Sequence, residues 1–207
     1  MSHARRHHYA VGYFESWDLP SLQGVVDAAE QSHAPIIIGF NGEFMANADR
    51  LSAERIEWYG ALGRAAAESA KVPCGFIFNE CSNDRWVKRA AQVGFNLVML
   101  VDPDAPYADY VQRVCEVVAV ARTYNAAVEG EIGELPFGSG GQINTGGHLT
   151  DPDQAARFVE ATGVDLLAVS VGNVHILIKG QQELDLAHLG TIHAKLDVPL
   201  VLHGGTG

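Results

Sequence analysis

Leu97-Val98-Met99-Leu100-Val101-Asp102 is an unbroken apolar run that ends on a carboxylate. A strand with one wet face alternates apolar and polar residues, whereas a strand covered on both faces does not. The run therefore predicts a parallel strand buried between helices. Ile36-Ile37-Ile38 reads the same way. Outward from these two, short apolar or β-branched runs recur at residues 9–15, 75–80, 126–133, 166–171 and 199–204, with the two central runs spanning 35–40 and 97–102. Between them lie helical patterns. Asp18 is the expected N-cap of a helix carrying Leu22, Val25, Val26 and Ala29 on one face. Ser82 is expected to cap a second, bearing Trp86, Val87, Ala90 and Ala91 and stopped by Gly94. Asp151-Pro152 opens a third that ends at Gly163. Residues 105–124 and 185–196 are further helical stretches.

Strand–helix alternation without a break in composition means an α/β fold with a parallel sheet. Seven strands suit either an open doubly wound sheet or most of a (β/α)8 barrel, so counting does not decide. The polar residues favour the barrel. Asn41, Asn79-Glu80, Asp102, Glu129, Glu131, His175 and His203 all sit at or just past strand C-terminal ends. In a (β/α)8 TIM barrel those ends converge on one site. The expectation is one domain over residues 1–207, lacking the eighth strand and final helix and so C-terminally incomplete.

Composition bounds the partners. The chain has 207 residues, 47% hydrophobic and 19% charged, with a formal net charge of −11. That charge argues against nucleic acid and anionic membranes. No apolar run approaches the length of a membrane span. Residues 1–8 have no apolar core and do not read as a secretion signal; their basic cluster is expected to be a solvated terminus. Three cysteines without a CxxC pair fit reduced thiols in the cytoplasm.

His203 ends a buried strand and is followed by Gly204-Gly205-Thr206-Gly207, where glycines let a phosphate approach backbone N–H groups. His175 follows the preceding strand, in Gly172-Asn173-Val174-His175. Two imidazoles at adjacent strand ends, with a carboxylate on the rim, suit zinc or a similar divalent ion. Two histidines bonded to loop backbone are an equally good reading of the residues alone. His3, His7, His8, His33, His188 and His193 fall on termini or helices and are expected to be solvated. Trp17, Trp58 and Trp86 are expected to pack rather than to stack on a ligand.

At this point the chain resembles the class II, zinc-dependent fructose-bisphosphate (ketose-bisphosphate) aldolase family. Val128-Glu129-Gly130-Glu131-Ile132-Gly133 is similar to the family's Val-Glu-Ala-Glu-Leu-Gly. Val201-Leu202-His203-Gly204-Gly205-Thr206-Gly207 resembles its His-Gly-Gly-Ser-Gly segment. Tyr9-Ala10-Val11-Gly12-Tyr13-Phe14, Leu149-Thr150-Asp151-Pro152 and Thr162-Gly163-Val164-Asp165 match in order and spacing. The resemblance implies a lyase of carbohydrate metabolism, glycolysis included, in which a divalent metal stabilises an enediolate without a Schiff-base lysine. It implies His175 and His203 as zinc ligands. It puts Gly204, Gly205 and Thr206 at a phosphate and monovalent-cation site, with Lys179 and Gly180 aligned loosely to the substrate loop. Asn41 falls near a substrate-proximal serine of the family, or simply caps a loop. A small phosphorylated sugar and a homo-oligomer are likewise implied.

The departures bear on chemistry. Where the family has Asp then His after its third strand, this chain has Asn79 then Glu80. Asn79 can hydrogen-bond but cannot exchange a proton. Glu80 can replace a histidine as third ligand, since His2Glu is an open zinc set. The family's acidic loop keeps one carboxylate here, Glu134, so Glu131 or Glu134 would take over proton transfer. Glu15 stands where the family has an Asn and either faces the site or is solvated. Three readings stay open: a divergent metal-dependent aldolase, another lyase or isomerase on the same site, and a non-catalytic sugar-phosphate-binding relative.

Overall fold

The computed structural model describes residues 1–133, 148–174 and 183–204. They form two compact units, Met1–Asp102 with Glu116–Val128, and Pro103–Cys115 with Glu129–Gly207. The first unit begins with α1 (Ser2–His7), then β1 (Gly12–Glu15), α2 (Leu19–Gln31), β2 (Ile36–Asn41), α3 (Gly42–Ala46), α4 (Ile56–Ser69), β3 (Cys74–Cys81), α5 (Asp84–Val93) and β4 (Leu97–Leu100). Its strands are parallel and pair in chain order, Gly12 opposite Ile36, Ile36 opposite Cys74 and Ile77 opposite Leu97. Helix α6 (Tyr107–Thr123) is shared between the units. The second unit takes β5 (Ala127–Ile132) from Glu129 onward, then α7 (Pro152–Thr162), β6 (Leu166–Val169), α8 (Leu186–His193) and β7 (Leu200–Val201). Here too neighbours in sequence are parallel neighbours in the sheet, Glu129 opposite Leu166 and Leu167 opposite Leu200. Neither unit reverses strand order, so the winding is that of a (β/α)8 barrel rather than a doubly wound sheet.

Parity along each strand sorts the two faces of the sheet. In the first unit Phe40 meets Tyr59 of α4 edge-on at 4.9 Å, Phe76 stacks on Phe95 at 4.0 Å, and Phe78 lies parallel to Trp86 of α5. These even-numbered residues face the helices. The odd-numbered Tyr13, Glu15, Asn41, Ile77 and Asn79 therefore line the opposite face. Gly63 of α4 admits the Phe76 ring, because a Cβ there would lie 2.0 Å from it. In the second unit Gly130 faces α7, where an added Cβ would stand 2.6 Å from Phe158, so Glu129 and Glu131 turn the other way.

Asp18, Gly94, Asp151 and Gly163 bound their helices as expected. Several expectations fail locally. The cap of α5 is Asn83, whose Oδ1 accepts from Arg85 and Trp86 N–H, while Ser82 donates both N–H and hydroxyl to Glu43. The basic start coils into α1 with Arg5, Arg6, His7 and His8 exposed, which agrees with a solvated terminus, and exposed His3 Nδ1 bonds the Tyr9 hydroxyl at 2.9 Å. His188 is half-buried, with Nε2 on the Thr150 carbonyl at 2.8 Å, rather than solvated. Trp86 packs, but Trp17 and Trp58 are 58% and 66% exposed. No helix among the described residues is long and apolar enough to cross a membrane.

Candidate functional site

Strand β3 is regular against β2 as far as Asn79, which sits opposite Asn41. Against β4 it slips: Phe78 pairs with Val98, yet Cys81 pairs with Leu100. Asn79 and Glu80 together thus oppose one residue, which is a β-bulge. Glu80 accommodates it with φ +46, in the left-handed region that costs a non-glycine residue about 1–2 kcal/mol. By simple alternation Glu80 would follow Phe78 toward the helices. The bulge turns it over instead, so that two consecutive side chains reach the face away from the helices. Cys81 then takes the buried helix-side position, and burial pushes its thiol up to about 12. It is no thiolate at neutral pH.

Three carboxylate or amide groups meet there. The Asn41 side chain caps α3, its Oδ1 accepting from Phe44 N–H at 3.1 Å. That fixes the amide orientation and aims Nδ2 at Glu80 Oε2, 3.2 Å away. The same Asn41 side chain hydrogen-bonds Glu15, and the Tyr13 hydroxyl donates to Glu15 Oε2 at 3.3 Å. Burial above all, then the Glu80 charge, holds the Glu15 carboxyl above its ordinary range; the bonds from Asn41 and Tyr13 pull the other way. Asn79 is 3% exposed, and its Oδ1 has no partner among the described residues.

In the second unit His203 Nε2 lies 2.7 Å from Glu129 Oε1, with side chains only 8% and 4% exposed. A carboxylate only accepts, which assigns the proton to Nε2. Asn173 braces the same region, accepting from Val171 N–H at 2.8 Å and donating to the His203 carbonyl at 2.9 Å. The Glu131 N–H donates to the hydroxyl of buried Tyr110, at 3.3 Å, and the Tyr110 ring stacks on Phe158. Gly204 follows with φ +69.

Of the residues singled out from sequence, Asn41, Asn79 and Glu80 cluster in the first unit, and Glu131, His203 and Gly204 lie in the second. His175, Glu134, Lys179, Gly180, Gly205 and Thr206 lie outside the described residues. Among the described residues no group of three or more His, Cys, Asp or Glu side chains is arranged to hold a metal. An imidazole held at one ring position by a buried carboxylate is an arrangement common among ligating histidines. Glu129 stood among the strand-end polar residues in the sequence but without a role, and Asn173 had none. Glu129 is 74 residues from its partner, and only the Asn after Gly172 hinted at an Asx turn.

The whole chain, residues 1–207, matches the family model described as fructose-bisphosphate aldolase class-II. A protein of Escherichia coli K12 called YdjI is 31% identical over 205 residues, spanning 99% of this chain and 72% of that one. The crystal structure titled YdjI aldolase superposes with a TM-score of 0.82 at 30% identity, covering 99% of this chain and 70% of the other. A candidate fructose-1,6-bisphosphate aldolase of Coccidioides immitis gives 0.82 at 28% identity, over 98% and 71%. The fructose-bisphosphate aldolase of Campylobacter jejuni shares the fold, at 19% identity and a TM-score of 0.70, over 99% and 67%.

Proposed function

The chain belongs to the class-II fructose-bisphosphate aldolase family, and from that premise we propose that it carries out metal-dependent aldol cleavage and condensation of a phosphorylated ketose. The observation that carries the proposal is the buried His203–Glu129 pair at the end of β7. A carboxylate-backed imidazole followed by Gly204 is what a metal ligand beside a phosphate-binding turn requires. His203, His175 and Glu80 are the proposed ligands. A zinc ion or similar divalent cation held by them would supply Lewis-acid stabilisation of the negative charge that develops on the donor fragment.

The remaining roles fall to the chain's own groups. Glu129 orients His203, and Asn173 holds the segment in place. Gly204, Gly205 and Thr206 bind phosphate, with Lys179 and Gly180 beside them and a monovalent cation as a further occupant. Glu134 or Glu131 delivers a proton to carbon. Asn41, the substrate-proximal position, also orders the carboxylates, its Nδ2 on Glu80 and its oxygen held by the Phe44 N–H.

Metal analysis of the purified full chain, followed by a panel of ketose phosphates, tests this. The expected result is one divalent ion per chain, lost in His203→Ala and in Glu80→Ala, and cleavage of fructose or tagatose bisphosphate or a close relative. Absence of bound divalent metal after loading would sink the enzyme reading. Metal retention with proton exchange on dihydroxyacetone phosphate, but no carbon–carbon cleavage, would turn the assignment to an isomerase or another lyase. Asn79 in place of an acid is what favours that second reading.

A further inference from the structure

We propose that Glu15 is the carboxylate that takes the proton from the substrate hydroxyl as the carbon–carbon bond breaks, a task that Asn79, an amide, cannot perform, Glu80 being left to the metal. The inference rests on the aldol reading above. Register brings the parts together: Glu15 lies opposite Gly39, and two residues on Asn41 lies opposite Asn79, all on the face turned from the helices. The Asn41 amide, pinned through its oxygen by α3, serves Glu15 and Glu80 at once. Asn79 independently points to a ligand here. It is 3% exposed, and its Oδ1 is a buried acceptor with no donor among the described residues. Such an atom costs about 1–3 kcal/mol unless something satisfies it, and a sugar hydroxyl is a donor of the right size.

The groups acting on Glu15 are the Tyr13 hydroxyl from β1, the Asn41 amide from β2 and the Glu80 carboxylate from β3. Half-buried, it binds a proton more readily than an exposed carboxylate does, which suits a proton acceptor. In cleavage the hydroxyl O–H breaks and its proton passes to a Glu15 oxygen. The O–H electron pair becomes the second bond of the aldehyde carbonyl. The electron pair of the broken carbon–carbon bond stays with the phosphorylated donor fragment as an enediolate. That fragment is protonated at carbon by the second acid, and Glu15 releases its proton to solvent, so charge and atoms balance. Asn79 Oδ1 accepts from a neighbouring hydroxyl and orients the sugar.

The test uses the metal-loaded full chain and two readouts: kcat for ketose phosphate cleavage, and carbon–hydrogen exchange of dihydroxyacetone phosphate in deuterium oxide. Glu15→Gln should lower cleavage by about 100-fold or more, leave exchange within about threefold, and recover about tenfold or more when Asn79→Asp is added. Cleavage by Glu15→Gln within about threefold of wild type, or equal loss of cleavage and exchange, would overturn the proposal. If Glu15→Gln does not fold by circular dichroism, Glu15→Asp replaces it. The acidic limb of its kcat/KM profile should move, and an unmoved limb would overturn the assignment. A wild-type chain that exchanges but cleaves no ketose phosphate defeats the aldol reading itself, an outcome distinct from an active Glu15→Gln.

Discussion

Glu129 and Glu15 are both carboxylates on strand faces turned from the helices, yet their surroundings treat charge in opposite ways. Glu129 meets the imidazole of His203 at 2.7 Å in nearly complete burial. Glu15 meets an amide that it shares with a second carboxylate, Glu80. The first arrangement compensates a buried charge and fixes a ring. The second sets two carboxylates on one amide, and burial raises the proton affinity of Glu15. Rigidity suits a group that holds a ligand; a raised proton affinity suits a group that trades protons.

Breaking the compensated side should cost most. Glu129→Ala leaves a buried imidazole without its acceptor and should lower stability by about 2–4 kcal/mol, read as a drop in urea midpoint at neutral pH. A loss under about 1 kcal/mol would mean the pair is not the anchor described. Asn173→Ala removes bonds to Val171 N–H and the His203 carbonyl and should cost about 1–3 kcal/mol. On the other side, Asn41→Ala removes the α3 cap, worth about 1 kcal/mol, and the amide shared by the two carboxylates. Its stability loss should be greater at neutral than at acidic pH, because the two carboxylates that share the amide repel only when ionised. The smallest effect belongs to Tyr13→Phe. It deletes a long bond that lowers the proton affinity of Glu15, so the acidic limb of kcat/KM should rise by about half a pH unit or less.

Glu15 also gives the comparison a sign that equilibrium unfolding can read. Its folded proton affinity is raised, so the folded chain binds more protons than the unfolded one. Its contribution to stability is present at acidic pH and falls as pH rises through the folded value. Glu15→Gln should flatten that decline across the weakly acidic range, measured as urea midpoint against pH. A steeper decline in the variant would show the sign to be wrong.

Much of the scaffold was legible because burial on both faces leaves a mark in sequence. The runs around Ile36–Asn41 and Leu97–Leu100 became β2 and β4, and Asp18, Asp151, Gly94 and Gly163 bounded helices by local backbone chemistry. Helix α4 was not legible. Its cap, Arg55, makes no side-chain bond, and Gly60 and Gly63 read as breakers although close packing against Val93 and Phe76 is what requires them. At the site, residue types were readable but directions were not. One extra residue in β3 reverses Glu80, and nothing in the string Asn79-Glu80 announces a bulge. Glu129 and Glu131 were visible at a strand end, but their different partners come from folding distant segments together. Asn83 rather than Ser82 caps α5, and Ser82 is turned to Glu43 through both of its donors, a contact outside any local window.

The left-handed Glu80 has a consequence for laboratory evolution. Glycine adopts that backbone without the steric penalty, and this relief opposes the lost bond to Asn41, so Glu80→Gly should change stability by no more than about 1 kcal/mol while deleting the carboxylate. Selection of random variants for heat resistance alone should therefore tolerate Gly or Asn at position 80, and selection that also demands turnover should purge them.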